Sequence, residues 1–573
     1  MDTTIQIGGE AGQGIVTIGD TLAKVFSRHG VHVFTSQDYE SRIRGGHNLY
    51  RIRLSEQPVQ AIRERIDILV ALDAESIHQH SRELVDHGFA LYDGETLKRT
   101  VTDERFLDIP LVRLARQEGG SPIMANTVAI GAVLGIMRFS AVAMAQTLEK
   151  TFQHRGAEVV ASNLKAAQAG YEFAQSHCPL CSFVLAPPAA GRLLIDGASA
   201  IGLGAIASGL KFYAAYPMTP STGVMTYIAS HAKELGIVVE QAEDEISAIN
   251  MVLGASFAGV RSMTCSSGGG FALMVEGLSL AAMTETPVVI GLGMRPGPAT
   301  GFPTRTEQGD LLFALHAGHG EFPRVLFAPG TPEQAFYLTN KAFDLAEKYQ
   351  IPALILFDQY LADSLVTCDR LDFGKLCPQD SRLRDDPASD SGTYRRYAFT
   401  PSGVSPMAVP GNGPGLVVAD SDEHDQDGHI VEDGQTRIQM TNKRLMRKLP
   451  LLRQEISPPE LLGDPTAEIV LVGWGSTYGP LTEAWREFSG RSVALLHFSQ
   501  LSPFPGTQTF DYIRLLRQAK HTVCVENNAT GQFARLVQAE TGFTFHHQIH
   551  RYDGRPFTVD GLVGEIHDVL ERI

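Results

Sequence analysis

Short, nearly uninterrupted apolar runs separated by stretches of helical spacing constrain this chain more than any other feature. Ile66-Asp67-Ile68-Leu69-Val70-Ala71-Leu72 is the kind of run a strand carries when helices cover both faces of a parallel sheet. The chain opens in the same manner. Strand-like Ile5-Gln6-Ile7 leads into the turn Gly8-Gly9-Glu10-Ala11-Gly12-Gln13-Gly14, and apolar residues follow at Ile18, Leu22, Ala23 and Phe26, the spacing of a buried helix face. A second strand, Val31-His32-Val33-Phe34, comes after Gly30. Strands alternating with helices predict an α/β protein of doubly wound units. The 56 glycines exceed the roughly 7% norm and agree with many tight strand-to-helix turns.

At roughly 150 residues per domain, 573 residues divide into about four units. The first spans 1–185, with Cys178-Pro179-Leu180-Cys181 and the Ala/Pro stretch 186–190 as its exit linker. A second α/β unit spans 192–367. Residues 368–463 read as an irregular linker or embracing segment. It carries Pro401, Pro406, Pro410 and Pro414, an acidic run at 420–428 and a basic stretch at Lys443-Arg444-Leu445-Met446-Arg447-Lys448; a loop this long is functional or a linker. The last unit, 464–573, opens on Glu468-Ile469-Val470-Leu471-Val472-Gly473.

Charge excludes one class of partner. With 48 basic and 64 acidic residues the net charge is −16, which does not neutralise phosphates, so no nucleic-acid partner is expected. The start of the chain lacks a basic region followed by a long apolar one. The longest apolar stretch, Val128 to Met137, is too short to span a bilayer and is broken by Arg138. Six cysteines are too sparse for a disulfide scaffold. A cytoplasmic protein without membrane association is expected.

Two candidate features in the first unit have open readings. Gly9, Gly12 and Gly14 between strand and helix let backbone N–H groups approach a phosphate, or they simply make a tight turn; the spacing differs from the dinucleotide fingerprint. Arg42 and Arg44 in the Gly-ended loop after Tyr39 suit an anionic ligand, an interface or surface ion pairs. Cys178 and Cys181 form a single C-x-x-C, and the other cysteines show no ligand spacing, so no metal is expected in this chain. Aligning Gly428 to the sixth position of a calcium loop puts Gly434 at the twelfth, where a bidentate glutamate is required; the acidic run reads as a solvated linker.

The second unit is the most specific. Phe212-Tyr213-Ala214-Ala215 leads into Tyr216-Pro217-Met218-Thr219-Pro220-Ser221-Thr222, hydroxyls at the C-terminal end of a strand, where ligands sit in open α/β sheets. Glu243-Asp244-Glu245 starts a helix with small residues at Ala248, Gly254, Ala255 and Ala258. The polar loop Thr264-Cys265-Ser266-Ser267-Gly268-Gly269-Gly270 and the string Pro303-Thr304-Arg305-Thr306-Glu307-Gln308-Gly309-Asp310 follow.

Together these strings resemble the 2-oxoacid:ferredoxin oxidoreductases, and the resemblance runs over nearly the whole chain. Residues 1–185 resemble the family's γ domain and 192–573 its α subunit, including Glu526-Asn527-Asn528-Ala529-Thr530-Gly531-Gln532. A fused γ–α chain of this kind most resembles the large subunit of the 2-oxoglutarate enzymes. The resemblance implies three doubly wound units: γ domain, pyrimidine-binding domain of a thiamine-diphosphate enzyme, and a transketolase C-terminal-like domain. It implies Glu245, in step with Ala248 and Gly254, as the acid that bonds the aminopyrimidine and stabilises its imino form. Tyr216, Pro217, Ser267 and Gly268 are implied as cofactor-binding. Thr219, Ser221 and an arginine, Arg305 first and Arg295 in reserve, are implied as substrate-binding; a planar guanidinium grips a carboxylate bidentately. Coenzyme A is implied as co-substrate near Gly9, Gly12, Gly14 and Arg44.

No Gly-Asp-Gly, which such enzymes use to hold magnesium and the diphosphate, occurs in the chain. The resemblance therefore implies a β subunit that supplies this half of the site, Mg2+ and a [4Fe–4S] cluster, within an α2β2 assembly that passes electrons to ferredoxin. The reaction implied is 2-oxoglutarate plus coenzyme A to succinyl-CoA and CO2. Pyruvate or a branched-chain oxoacid is the alternative substrate. A transketolase-like transferase is the alternative of another class.

Overall fold

A computed structural model of the chain describes residues 2–42, 44–178, 191–376, 379–383, 394–412 and 416–572; Cys181, half of the C-x-x-C, lies outside them. The chain divides into two compact units, one of Met1–Ile195, Ser364–Arg370 and Thr558–Gly564, the other of Asp196–Asp363, Leu371–Phe557 and Glu565–Ile573. The protein is α/β, as expected, with three large sheets.

The first unit holds an eight-stranded sheet in the order Phe106–Asp108, Leu84–Tyr92, Ile66–Ala71, Asp2–Ala11, Gly45–Ser55, His32–Asp38, Val366–Cys368 and Leu193–Ile195. One half is parallel, but Gly45–Ser55 runs antiparallel to both Asp2–Ala11 and His32–Asp38. The apolar run Ile66–Ala71 is buried along its length. Strand Gly45–Ser55 is masked in the sequence by its charges: Arg53 is buried and its guanidinium meets both carboxylate oxygens of Asp2 at 2.8 Å. Two distant segments belong to this unit without any signal in their composition. Segment 558–564 is tied by Arg63 to Asp560 at 2.8 Å and by the Thr558 hydroxyl donating to Glu64 at 2.9 Å. The apolar stretch around Val128 forms the helix Ala125–Ile136, buried against Ala157–His177; a Cβ at Gly131 would strike the Ala167 carbonyl. Among the described residues no helix is long and apolar enough to cross a membrane.

The second unit holds two sheets. The seven-stranded one runs Gln500–Ser502, Val325–Phe327, Pro352–Asp358, Val288–Met294, Arg261–Ser267, Leu210–Ala215 and Val238–Gln241, parallel except for Gln500–Ser502. The five-stranded one runs Glu460–Leu462, Val493–Phe498, Ile469–Trp474, His521–Glu526 and His547–His550, parallel except for Glu460–Leu462. Central strands such as Val288–Met294 and Pro352–Asp358 are buried throughout, and one apolar core runs from Ile249 and Phe271 through Leu354 to Trp474 and Phe533.

The stretch expected to be irregular carries three consecutive helical elements, Gly434–Thr441, the π-helical Asn442–Arg447 and Lys448–Gln454. They are pinned by a buried ion cluster. Lys443 and Lys448 each bond one carboxylate oxygen of Glu285, Lys448 at 2.5 Å, and all three side chains are at most 1% exposed. Arg396 donates to the Glu285 carbonyl at 2.7 Å. Burial works against ionisation of Glu285, but Lys443, Lys448, Arg396 and Arg444 outweigh it and hold the carboxyl far below its ordinary range. The acidic run departs from the solvated reading in the same way: Glu423 pairs with Arg444 at 2.8 Å, and His424 is fully buried against the Tyr397 ring.

Removing one charge from such a cluster leaves the others uncompensated. Glu285→Gln is expected to lower stability by about 3–5 kcal/mol, read as a lower denaturation midpoint with an unchanged slope; an unaltered midpoint would show that the cluster does not hold this segment.

Candidate active site

Strand Leu210–Ala215 ends at the loop Tyr216–Ser221, which closes as a turn with the Ser221 N–H donating to the Met218 carbonyl at 2.9 Å; the Thr219-Pro220 peptide within it is cis. Tyr216 is 41% exposed, with its ring available to a ligand or partner. The Ser221 hydroxyl is spent locally, donating to the Met218 carbonyl at 2.6 Å. Arg295, at the end of strand Val288–Met294, donates from Nη1 to the Thr219 carbonyl at 2.8 Å. Thr219 and Arg295 are thereby brought together.

Helix Glu245–Phe257 starts at its N-cap Asp244, whose carboxylate accepts from the Ser247 N–H at 2.7 Å, an ordinary cap. Glu243 accepts from the Ser247 hydroxyl at 2.8 Å. These two acids are helix-start groups, as expected. Glu245 differs: it is 3% exposed, and Ser266 Oγ donates to its Oε1 at 3.1 Å. A Cβ at Gly270 would collide with both Ser266 Oγ and Glu245 Oε1, so the two groups can meet there only because residue 270 has no side chain. Ser267 Oγ lies 2.6 Å from Met218 Sδ, which links the Ser-Gly loop to the Tyr216–Ser221 loop. Sequence reading chose Ser267 and Gly268 from this loop and missed Ser266, Gly270 and Met218.

The segment 303–310 is clamped from one side. Gln308 exchanges bonds with Asn527 (N–H to Asn527 O at 2.7 Å, Asn527 N–H to Gln308 Oε1 at 2.9 Å) and donates from Nε2 to the Trp474 carbonyl at 2.8 Å. Gln532 donates to the Gly309 carbonyl at 2.6 Å and accepts from the Leu312 N–H at 2.9 Å. Glu526, fully buried, accepts from Asn528, Phe533 and Ala534 at 2.8–2.9 Å. The string Glu526–Gln532 thus serves as the fastening of the 303–310 loop.

That loop places charge in the site. A Cβ on Gly268 would lie 2.5 Å from an Asp310 carboxylate oxygen. Burial pushes Asp310 up to about 6, against the pull of Arg295, and burial together with Asp310 pushes Glu307 up to about 6. Burial, reinforced by Arg555, draws Arg305 down to about 10; Arg305 packs against Gly554, whose added Cβ would meet its Cβ at 3.2 Å. Arg295, held in reserve by sequence reading, is the arginine bonded to Thr219.

In the first unit the glycine turn has reasons of its own. A Cβ at Gly9 would strike Gln13 Oε1, which accepts from the Glu10 N–H at 2.7 Å, and one at Gly14 would strike Asn126. Gly12, at φ +95, faces open space, and Arg44 is exposed. Among the described residues no group of three or more His, Cys, Asp or Glu side chains is arranged to hold a metal.

Hydroxyls, a buried helix-start glutamate and a guanidinium thus meet at the C-terminal edge of a parallel sheet, the edge at which open α/β enzymes bind their ligands. Residues 203–443 match the family described as pyruvate flavodoxin/ferredoxin oxidoreductase, thiamine diphosphate-binding, and 4–173 match pyruvate ferredoxin/flavodoxin oxidoreductase. The alpha subunit of a 2-oxoacid:ferredoxin oxidoreductase from Sulfolobus sp. is 32% identical, over 99% of this chain and 96% of the relative. The 2-oxoglutarate oxidoreductase subunit KorA of Mycobacterium tuberculosis is 28% identical, over 94% and 87%. The structure of 2-oxoglutarate:ferredoxin oxidoreductase from Magnetococcus marinus, with 2-oxoglutarate, coenzyme A and succinyl-CoA bound, is 32% identical and aligns over 99% of both chains with a TM-score of 0.90. The chain belongs to the 2-oxoacid:ferredoxin oxidoreductase family, as an alpha subunit.

Gly270→Ala is expected to push Glu245 and Ser266 apart and to lower oxoacid-dependent turnover of the assembled, folded enzyme by about 10-fold or more, at one to two kcal/mol of misplacement, with an overpacking loss of about 1–3 kcal/mol in stability. Wild-type turnover in this variant would show that the cradle around Glu245 has no functional role.

Proposed function

We propose that the chain is the pyrimidine-holding subunit of an enzyme that converts 2-oxoglutarate and coenzyme A to succinyl-CoA and CO2 and reduces ferredoxin. The observation that carries this reading is the buried Glu245 carboxylate, bonded by Ser266 in a cradle that a Cβ at 270 would fill. An aminopyrimidine offers a ring nitrogen as the partner for such an acid, and the residues present fit that half of thiamine diphosphate. The chemistry supplied by the bound cofactor is a carbon nucleophile for the 2-oxo carbon, from which CO2 is then lost.

Each residue then has a task. Ser266 occupies Glu245 Oε1, so Oε2 is the atom at which Glu245 shares a proton with the ring nitrogen. Ser267, Gly268, Tyr216 and Pro217 line the approach to that acid. Arg295, with Nη1 on the Thr219 carbonyl, offers its remaining N–H groups to the oxoacid carboxylate; Thr219 adds a hydroxyl, and Arg305 stands further along the clamped loop. Ser221 fixes the loop instead of the substrate, since its hydroxyl is taken by Met218.

The rest of the reading concerns partners. With no Gly-Asp-Gly in the chain, a β subunit supplies the diphosphate half of the site, Mg2+ and a [4Fe–4S] cluster that passes electrons to ferredoxin. The small-residue face of helix Glu245–Phe257 supports an α2β2 assembly: Gly254 is open, and a Cβ there would meet nothing within 4 Å. Coenzyme A approaches the first unit at Gly12 and Arg44. Relatives named for 2-oxoglutarate and the Magnetococcus marinus structure favour that substrate; relatives named only for 2-oxoacids keep pyruvate and branched-chain oxoacids as the second reading. Family membership leaves no place for the transferase.

Glu245→Gln in the assembled enzyme is expected to cut oxoacid-dependent ferredoxin reduction by at least about 100-fold, the lower range for a lost acid–base group, with assembly intact; retained turnover would contradict the role. In the wild type, kcat/KM for 2-oxoglutarate is expected to exceed that for pyruvate and branched-chain oxoacids, and a reversed order would favour the second reading.

A further inference from the structure

Asp310 is a carboxyl group in an unusual position. It stands at the start of helix Leu311–His316, yet its side chain does not cap that helix, and it finds no hydrogen-bond or ion-pair partner among the described residues. Its carboxylate lies instead against Gly268, at the start of helix Gly268–Met283. The backbone on either side of it is held: Gln532 bonds the Gly309 carbonyl and the Leu312 N–H, and the Asp310 carbonyl accepts from the Ala314 N–H at 2.9 Å. A partly buried carboxylate without a protein partner among the described residues, held on a fastened backbone beside a ligand site, is a candidate for proton exchange.

The charged groups facing it are Arg295 and Glu307. Arg295 is committed through Nη1 to the Thr219 carbonyl and makes no ion pair with Asp310 among the described residues. An anion drawn to Arg295 therefore arrives next to an unpaired carboxylate, and two like charges brought together raise the affinity of one for a proton.

We propose that Asp310 couples binding of the anionic oxoacid to uptake of one proton: the carboxyl is neutral when the substrate carboxylate occupies the Arg295 side of the site and ionised when the site is empty near neutral pH. This rests on the reading of Thr219 and Arg295 as oxoacid donors. The balance is simple. One proton from solvent goes to Asp310 as the substrate binds and returns to solvent when the carboxylate leaves as CO2; no bond to the substrate is made or broken by Asp310.

The direction with pH follows. Because burial already lifts Asp310 to about 6, the empty site is protonated below that pH and substrate binds without proton uptake. Above it, each pH unit costs up to about tenfold in affinity. KM for 2-oxoglutarate in the assembled enzyme is expected to be level below pH 6 and to rise about tenfold per unit above it, whereas Asp310→Asn, permanently neutral, is expected to be level throughout and to bind more tightly than wild type at pH 8. A misfolded variant cannot produce that gain. Glu307→Gln, which removes the neighbouring charge, is expected to keep the rise and shift its onset to lower pH. Calorimetric titration with 2-oxoglutarate in buffers of different ionisation heat is expected to show close to one proton taken up by wild type at pH 7.5 and none by Asp310→Asn. A wild-type KM without the rise, a rise that survives in Asp310→Asn, or one that vanishes only in Glu307→Gln overturns the assignment to Asp310. An enzyme that turns over no oxoacid overturns instead the functional reading on which it rests.

Discussion

A single hydrogen bond, from Ser266 to Glu245 at 3.1 Å, sets the terms for the rest of the second unit. A carboxyl buried to 3% exposure needs a donor, and its donor comes from the neighbouring strand Arg261–Ser267 at the level where the parallel sheet ends. For the two to meet, helix Gly268–Met283 has to begin without side chains, hence the glycines; at 270 a single added carbon would strike both groups. The strand order then determines what else reaches the same edge, since Leu210–Ala215 and Val288–Met294 flank Arg261–Ser267 and bring Thr219 and Arg295 into contact there. The placement follows the general tendency of open α/β sheets to bind ligands beyond the C-terminal ends of their strands.

The second constraint is the fastening of the 303–310 loop. A loop rich in charge and without secondary structure would ordinarily be mobile, yet Gln308 is fully buried and bonded to Asn527 and Trp474. The five-stranded sheet thus supplies the anchor points, and Glu526 holds the anchor in turn through backbone N–H groups at the start of helix Gln532–Thr541. The fastened backbone thereby fixes where the loop presents Arg305, Glu307 and Asp310.

The legible part of the sequence was local. Central strands show as apolar runs because both faces are buried, and Glu245 is marked by the cap beside it and by its register with Ala248. What stayed hidden depends on contacts across the fold. Ser266 and Ser267 are neighbours of the same type and both hydroxyls lie near Met218 Sδ, yet only Ser266 also donates to Glu245, which no local pattern foretells. Arg295 and Arg305 were ranked by motif, whereas the Thr219 carbonyl is reached by Arg295. Strand Gly45–Ser55 was lost because Arg51 and Arg53 break its apolar pattern while being paired with Gln6 and Asp2. The basic stretch of 443–448 shows in the sequence only as a run of cations, and no composition argument foretells that Lys443 and Lys448 converge on one buried glutamate.

The central claim is that this chain holds only the aminopyrimidine end of the cofactor and needs another polypeptide for the diphosphate and its metal. The direct measurement is calorimetric titration of thiamine diphosphate with Mg2+ into the isolated chain and into the chain mixed with its β subunit, each followed by an assay of CO2 release from 2-oxoglutarate. The account predicts tight binding and CO2 release only for the mixture. Tight, magnesium-dependent binding with CO2 release by the isolated chain would contradict it.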